Sequence, residues 1–183
     1  MLFALEELPT CGERVEVFLS SGVLQHFARY RQTRLWHREA GGQLFAIIDG
    51  GRWTIVEATG PRRSDMRSRF GFRSSRTAEQ AEITDRFAKG LHYVGDWHTH
   101  PEAIPTPSGE DLGSMAEMIQ TSDYQTTGLL MLIIGTQSPP QGLYIALHCG
   151  TGWWRQMCLQ SRSRLHRHGG SYPNTSPSIA GSS

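Results

Sequence analysis

The stretch Leu91-His92-Tyr93-Val94-Gly95-Asp96-Trp97-His98-Thr99-His100-Pro101, followed after six further residues by Ser108-Gly109-Glu110-Asp111, decides how the rest of the chain is read. The run from Leu91 to His100 is a candidate β-strand. Side chains two apart on a strand share a face, so His98 and His100 lean the same way while Thr99 points to the other side. Pro101 and Ile104-Pro105-Thr106-Pro107 stop the strand and turn the chain. Ser108-Gly109-Glu110-Asp111 then opens an apolar-periodic segment that reads as a helix start, which brings Asp111 in from the next element. Two neutral imidazoles and one carboxylate suit zinc and leave the fourth tetrahedral position for water. Plainer readings exist: Ser108 and Asp111 also make a helix capping box, and an HxH pair is often just two polar residues on a strand face. The fall of His, His, Pro, Ser and Asp within fourteen residues favours the metal.

A second chemical element lies upstream, in Trp36-His37-Arg38-Glu39-Ala40-Gly41-Gly42 and the apolar run that follows to Ile48. The Gly-Gly pair lets backbones approach closely, and the run reads as a buried strand. A carboxylate set just outside a metal's ligands can take a proton from an attacking water and hand it to a leaving amine, the general base and acid of hydrolysis. Glu39 is the candidate. On local sequence alone the stronger reading is a solvated glutamate at the end of a polar, basic helix.

Together these residues resemble the JAMM (MPN+) zinc isopeptidases: Glu39 ahead of Gly41-Gly42, then His98-Thr99-His100-Pro101, six residues, Ser108, two residues and Asp111. The similarity runs from about Arg34 to about Cys158. It implies His98, His100 and Asp111 as ligands of one Zn2+ per chain, Glu39 as acid/base, and Ser108 as a donor that steadies the tetrahedral intermediate. It also implies a cytidine-deaminase-like α/β/α fold with a mixed central sheet and flanking helices. The H-x-E and P-C-x-x-C ligands of zinc deaminases are missing, which disfavours deamination. Ala58-Thr59-Gly60-Pro61, the arginine-rich stretch from Arg62 to Arg76 with Phe70 and Phe72, and Tyr93-Val94-Gly95-Asp96-Trp97 resemble more narrowly the compact bacterial JAB-domain proteins of CBASS anti-phage operons. That resemblance implies a deubiquitinase-like isopeptidase acting on the C-terminal tail of a conjugated cGAS-like nucleotidyltransferase, with an E1/E2-like conjugating enzyme in the same system. Three alternatives are a RadC-like, DNA-repair-associated JAB protein, a non-catalytic MPN binding module stabilised by zinc, and a peptidase of the same chemistry acting on another ubiquitin-like or sulfur-carrier protein. Glu39-Ala40-Gly41-Gly42 and the absence of an obvious N-terminal DNA-binding unit weigh against the first.

The chain has 183 residues, enough for one domain with a real core, and we expect a single domain over 1–160 with a disordered Ser-, Gly-, Pro- and Arg-rich tail over 161–183. His166 and His168 repeat the HxH spacing in that tail without a strand to orient them. A net charge of +1 with mixed signs predicts neither nucleic acid nor a membrane surface as partner. Arg62, Arg67, Arg69 and their neighbours read as a solvated loop or as a surface for an acidic partner. Cys11, Cys149 and Cys158 form no CxxC pair, so neither a disulfide scaffold nor a cysteine-zinc site is expected. Glu6 and Glu7 stand where a signal peptide is basic, and no apolar run approaches a membrane span, so a cytoplasmic protein is expected.

Local patterns supply the remaining elements. Glu13 to Leu19 alternates as a strand, and a serine at 20 or 21 caps an amphipathic helix carrying Val23, Leu24, Phe27, Ala28 and Arg31. Asp49-Gly50-Gly51 predicts an antiparallel hairpin between the strands at 43–48 and 52–58. Thr77 to Gly90 reads as a helix packing through Ala81, Ile83, Phe87 and Ala88. The helix from Gly109 to about Thr121 has Leu112, Met115, Ala116 and Ile119 at core spacing. Leu129 to Gly135 reads as a central strand buried on both faces, Leu143 to Cys149 as its return, and Trp153 to Leu159 as a last segment with core and rim tryptophans.

Overall fold

A computed structural model describes residues 1–5, 14–150 and 154–159; the expectations attached to Glu6, Glu7, Cys11, Trp153, His166, His168 and the tail lie outside them. In chain order the elements are β1 (Leu2–Leu5), β2 (Val15–Leu19), α1 (Ser21–Tyr30), β3 (Gly41–Asp49), β4 (Arg52–Ala58), β5 (Met66–Arg67), β6 (Phe72–Arg73), α2 (Arg76–Phe87), β7 (His92–Thr99), α3 (Gly109–Thr121), β8 (Leu129–Ile134), β9 (Leu143–His148), β10 (Trp154–Gln156) and β11 (Cys158–Leu159). Nine strands form one sheet in the order β10-β9-β8-β7-β3-β4-β2-β1-β11, while β5 and β6 make a separate hairpin. The β2–β4 and β7–β8 pairs are parallel and the other neighbours antiparallel, giving the expected mixed sheet.

Each face of the sheet has its own apolar core. On one side Val15, Val17, Leu19, Ile55, Trp97 and Leu132 pack against Val23 and Phe27 of α1. Ser20 starts that helix by accepting the Val23 N–H at 3.3 Å. On the other side Met115 of α3 packs on Leu129, Met131 and Ile133 of β8. With helices on both faces the architecture is the α/β/α arrangement anticipated, and β8, buried along its whole length, is the central strand that its apolar run predicts. Among the described residues no helix is long and apolar enough to cross a membrane.

One irregularity matters for the site. The β3–β7 register shifts between Leu44 and Phe45, opposite Gly95. Gly95 has φ 134°, and a Cβ there would lie 2.0 Å from the Leu130 carbonyl oxygen. The shift resets the alternation of β7, so that Tyr93 and Asp96, three residues apart, share a face and the Tyr93 hydroxyl donates to Asp96 Oδ1 at 3.0 Å. Asp96 and His98 thereby face α3, while Val94 and Trp97 stay in the core under α1.

The helix at 76–87 departs from its expected packing. Ala81, Phe87 and Ala88 are exposed, Ile83 is half-buried and no residue of α2 is buried. Its inward contacts are ionic instead: Glu82 receives Arg62 at 2.5 Å, and Arg86 reaches Glu57 at 2.8 Å. In a helix this polar the sparse apolar period does not select the inward face; the partners at 57 and 62 do. In α3, likewise, Ala116 is exposed and Met118 packs in its place.

Replacing Gly95 by alanine is expected to cost about 3 kcal/mol or more, from the clash with β8 and the disfavoured φ, read as a fall in the thermal midpoint. An unchanged midpoint would show that β7 and β8 are not this close.

Candidate functional site

His98 and His100 leave β7 where the sheet holds it from both sides. His98 is the register partner of Gly41 on β3 and Ile133 on β8, and the His100 N–H donates to the Ile134 carbonyl at 2.9 Å. The loop that follows is tied back by the Thr136 N–H donating to the Glu102 carbonyl at 2.7 Å.

Asp111 arrives at the first turn of α3, and the capping box offered as a plainer reading is indeed formed. Ser108 Oγ accepts the Asp111 N–H at 3.2 Å, and the Ser108 N–H and hydroxyl both donate to Asp111 Oδ2 at 2.7 Å. Capping and chemistry do not compete, because the box aims the carboxylate across the corner. Asp111 Oδ1 lies 3.2 Å from His98 Nε2, Asp111 Oδ2 lies 3.4 Å from His100 Nε2, and the two Nε2 atoms are 3.1 Å apart. Tetrahedral zinc with bonds of about 2.0–2.1 Å needs ligand atoms about 3.3–3.4 Å from one another. Each of the three distances falls near that spacing, with the two rings meeting different oxygens of the Asp111 carboxylate. Burial by itself would raise the Asp111 carboxyl, but hydrogen bonds from His100, His98 and Ser108 outweigh it and hold it well below the usual carboxylate range. Burial likewise works to lower His100, and the Asp111 carboxylate overcomes it, raising that imidazole. The corner favours positive charge.

Glu39 is buried, 5% exposed, in the loop between α1 and β3, not at the end of a helix. A carboxylate oxygen lies within 4.8 Å of ring nitrogens of both histidines, yet no ion pair forms within 4.0 Å. Two triads therefore share the histidines, a tight one with Asp111 and a looser one with Glu39. Burial is the main cause that pushes the Glu39 carboxyl up to about 7.

The residues that hold Glu39 in place were not singled out by motif. Thr99, between the two histidines and facing away from them, accepts the Ala40 N–H at 3.0 Å and donates to Gln32 Oε1 at 3.1 Å. Gln32 Nε2 in turn donates to the Arg69 carbonyl at 2.8 Å. Arg67 Nε donates to the Glu39 carbonyl at 2.6 Å, and the Glu39 N–H donates to the Ser68 carbonyl at 2.7 Å. A hydroxyl at a buried strand position was the available signal for Thr99; Gln32 and Arg67 offered none. The arginine-rich stretch is thus partly internal bracing: Arg62, Arg67 and Arg69 bond to the fold, whereas Arg63 and Arg73 are exposed. Gly41 and Gly42 permit the close approach anticipated for them, since Cβ atoms there would lie 2.6 Å from the Phe72 ring and 2.0 Å from the Thr59 carbonyl oxygen. Glu39, His98, His100, Ser108 and Asp111 all line one groove of about 1030 Å³, floored by β7 and walled by the β5–β6 hairpin and α2 on one side and α3 on the other.

A family model described as prokaryotic homologs of the JAB domain matches residues 20–147. A protein of Escherichia coli (strain TW11681) named CD-NTase/cGAS isopeptidase is 33% identical over 122 residues, 65% of this chain and 76% of that protein. One of the same name from Pseudomonas aeruginosa (strain BWHPSA011 / Pa011) is 31% identical over 143 residues, 76% of this chain and 87% of its own. The solution structure of a protein from Desulfitobacterium hafniense superposes with a TM-score of 0.52 at 21% identity, covering 76% of this chain and 88% of the other, a likeness of fold. With the family match spanning most of the sheet, α1 to α3 and all five motif positions, this chain belongs to the prokaryotic JAB-domain family.

Proposed function

We propose that this protein is a zinc-dependent isopeptidase of the JAMM type, hydrolysing the amide between the C-terminal carboxyl of a conjugated protein and the amine of its target. The observation that carries the reading is the convergence of His98, His100 and Asp111 at 3.1 to 3.4 Å with Glu39 buried beside them. When bound there, zinc supplies a Lewis acid and brings the pKa of water toward about 7. Glu39 takes a proton from the attacking water and returns it to the leaving amine; with its carboxyl at about 7 it is poised for both near neutrality. Ser108 turns its hydroxyl from Asp111 to the substrate carbonyl as negative charge develops on that oxygen. The groove admits an extended tail alongside the short β5–β6 hairpin, where a strand edge is available for backbone pairing.

The names of the relatives support a cGAS-like nucleotidyltransferase as the conjugated protein. The resemblance carried by residues 58–61, 62–76 and 93–97 adds a CBASS anti-phage system with an E1/E2-like conjugating enzyme as its setting. A cytoplasmic setting follows from that role. The position of Glu39 beside the histidines favours hydrolysis over a module that uses zinc only as a staple.

The direct test mixes the purified protein with a nucleotidyltransferase fused through its C-terminus to a reporter. Cleavage is expected, and chelation abolishes it. Glu39→Gln retains zinc and loses about 100-fold or more of the rate, whereas His98→Ala loses zinc and cleavage together; full turnover by the Glu39 variant rejects its role.

A pH dependence of stability is expected in the chelated protein. The unfolded chain releases the Glu39 proton near 4.5 and the folded chain near 7, so the contribution is fully present below 4.5 and is lost as pH rises through 7. Thermal midpoints of the chelated protein should fall across that window more steeply than those of Glu39→Gln. Asp96, raised by burial to about 7, contributes equally to both proteins, so the difference reports Glu39 together with the part of the His100 shift that Glu39 causes. Equal slopes would mean that Glu39 is not desolvated.

A further inference from the structure

One pleat from His98, the groove floor carries polar side chains where a sheet interior usually carries apolar ones. Gln43 of β3 is the register partner of Asp96 on β7, and both line the groove that holds the histidines. Gln43 is only 2% exposed. Its Oε1 accepts from Arg62 Nη2 at 3.2 Å, and because a guanidinium only donates, that contact fixes the carboxamide with its NH2 turned away from Arg62. Arg62 is itself locked by two bonds to Glu82, at 2.8 and 2.5 Å. Gln43 Nε2 makes no hydrogen bond among the described residues. Asp96 Oδ1 takes the Tyr93 hydroxyl at 3.0 Å, and Oδ2 has no hydrogen bond among the described residues. One oriented donor and one acceptor thus stand side by side, on side chains about 4.5–5.5 Å apart, each with bonding capacity to spare.

We propose that Gln43 and Asp96 form a subsite for an amide group of the substrate, Gln43 Nε2 donating to its carbonyl oxygen and Asp96 accepting its N–H. The identity of the ligand as a peptide rests on the isopeptidase reading. A cationic side chain has donors only and leaves the Gln43 N–H unmet, and an anionic one meets the Asp96 and Glu79 carboxylates that share the groove. An amide matches both groups. Two residues along β7 are about 7 Å, so the group read lies about two residues from the scissile bond. Arg62 is a positioning residue for Gln43.

Main-chain peptide groups and the carboxamides of Asn or Gln share this chemistry, and two probes separate them. Titrating the 15N-labelled zinc-loaded protein with N-methylacetamide, a peptide group, and with acetamide, a side-chain carboxamide, should shift the Gln43 side-chain NH2 resonances saturably, and the tighter probe identifies the source. Gln43→Glu keeps an acceptor for Arg62 but removes the donor, and Asp96→Asn weakens the acceptor. Each is expected to raise KM for the conjugate about tenfold with kcat within about twofold and zinc content unchanged. Gln43→Leu gives the same reading should Gln43→Glu fail to fold. Unchanged KM in folded variants, or the absence of a saturable shift with either probe, overturns the subsite. Probe binding by a protein that cleaves no conjugate overturns the isopeptidase reading and leaves the subsite standing; normal cleavage with indifferent variants does the reverse.

Discussion

The arrangement depends on a carboxylate held against two imidazoles across a strand-turn-helix corner. Asp111 is partly withdrawn from water, and a carboxylate so placed needs its charge answered. It is answered by two backbone and side-chain donors from Ser108 and by the two rings of β7, 3.2 and 3.4 Å away. The helix start contributes too, because an acid in the first turn sits at the positive end of the helix. The same contacts that begin α3 therefore point its third residue at the strand, and the strand can accept it only because β3 and β8 pin β7 up to His100.

Around this corner the protein separates rigid support from chemistry by sheet face. Trp97 and Thr99 point to the α1 side, where Trp97 fills the core and donates to the Thr59 carbonyl at 2.9 Å. Thr99 holds the loop bearing Glu39 through Ala40 and Gln32. His98 and Asp96 point to the α3 side, toward the groove. The alternation of a strand thus lets one segment both brace the proposed general base and present the proposed ligands. The β3–β7 register shift at Gly95 extends this division by keeping Tyr93 beside Asp96, despite a separation that would put them on opposite faces of a regular strand.

The arginines between 62 and 76 illustrate why charge counts along a sequence say little about partners. Arg62 pairs with Glu82 where α2 meets the fold, as Arg86 beyond the stretch does with Glu57, and Arg67 and Arg69 direct their donors to backbone carbonyls of the 34–39 loop. Guanidinium groups suit this work because several fixed donors can close several carbonyls at once. The result is a hairpin and a helix attached by polar contacts, forming one wall of the groove, in contrast to α3, which is seated on Met115 and the second apolar core.

By itself the sequence determined the strand-turn-helix corner, the hairpin at Asp49-Gly50-Gly51 and the buried run of β8, because each rests on a local signal: a two-residue alternation, a turn, a cap or an unbroken apolar run; the α/β/α class came with the family resemblance those motifs carry. The sequence also brought together His98, His100, Ser108 and Asp111, since fourteen residues and one tight turn leave them little choice. Only the tertiary structure decided that Glu39 is a buried neighbour of the histidines, that Gln32, Thr99 and Arg67 hold it, that α2 packs through ion pairs, and that Gln43 and Asp96 stand side by side. Those relations join residues 20 to 67 positions apart, and no local period or propensity encodes which distant donor will meet a given acceptor.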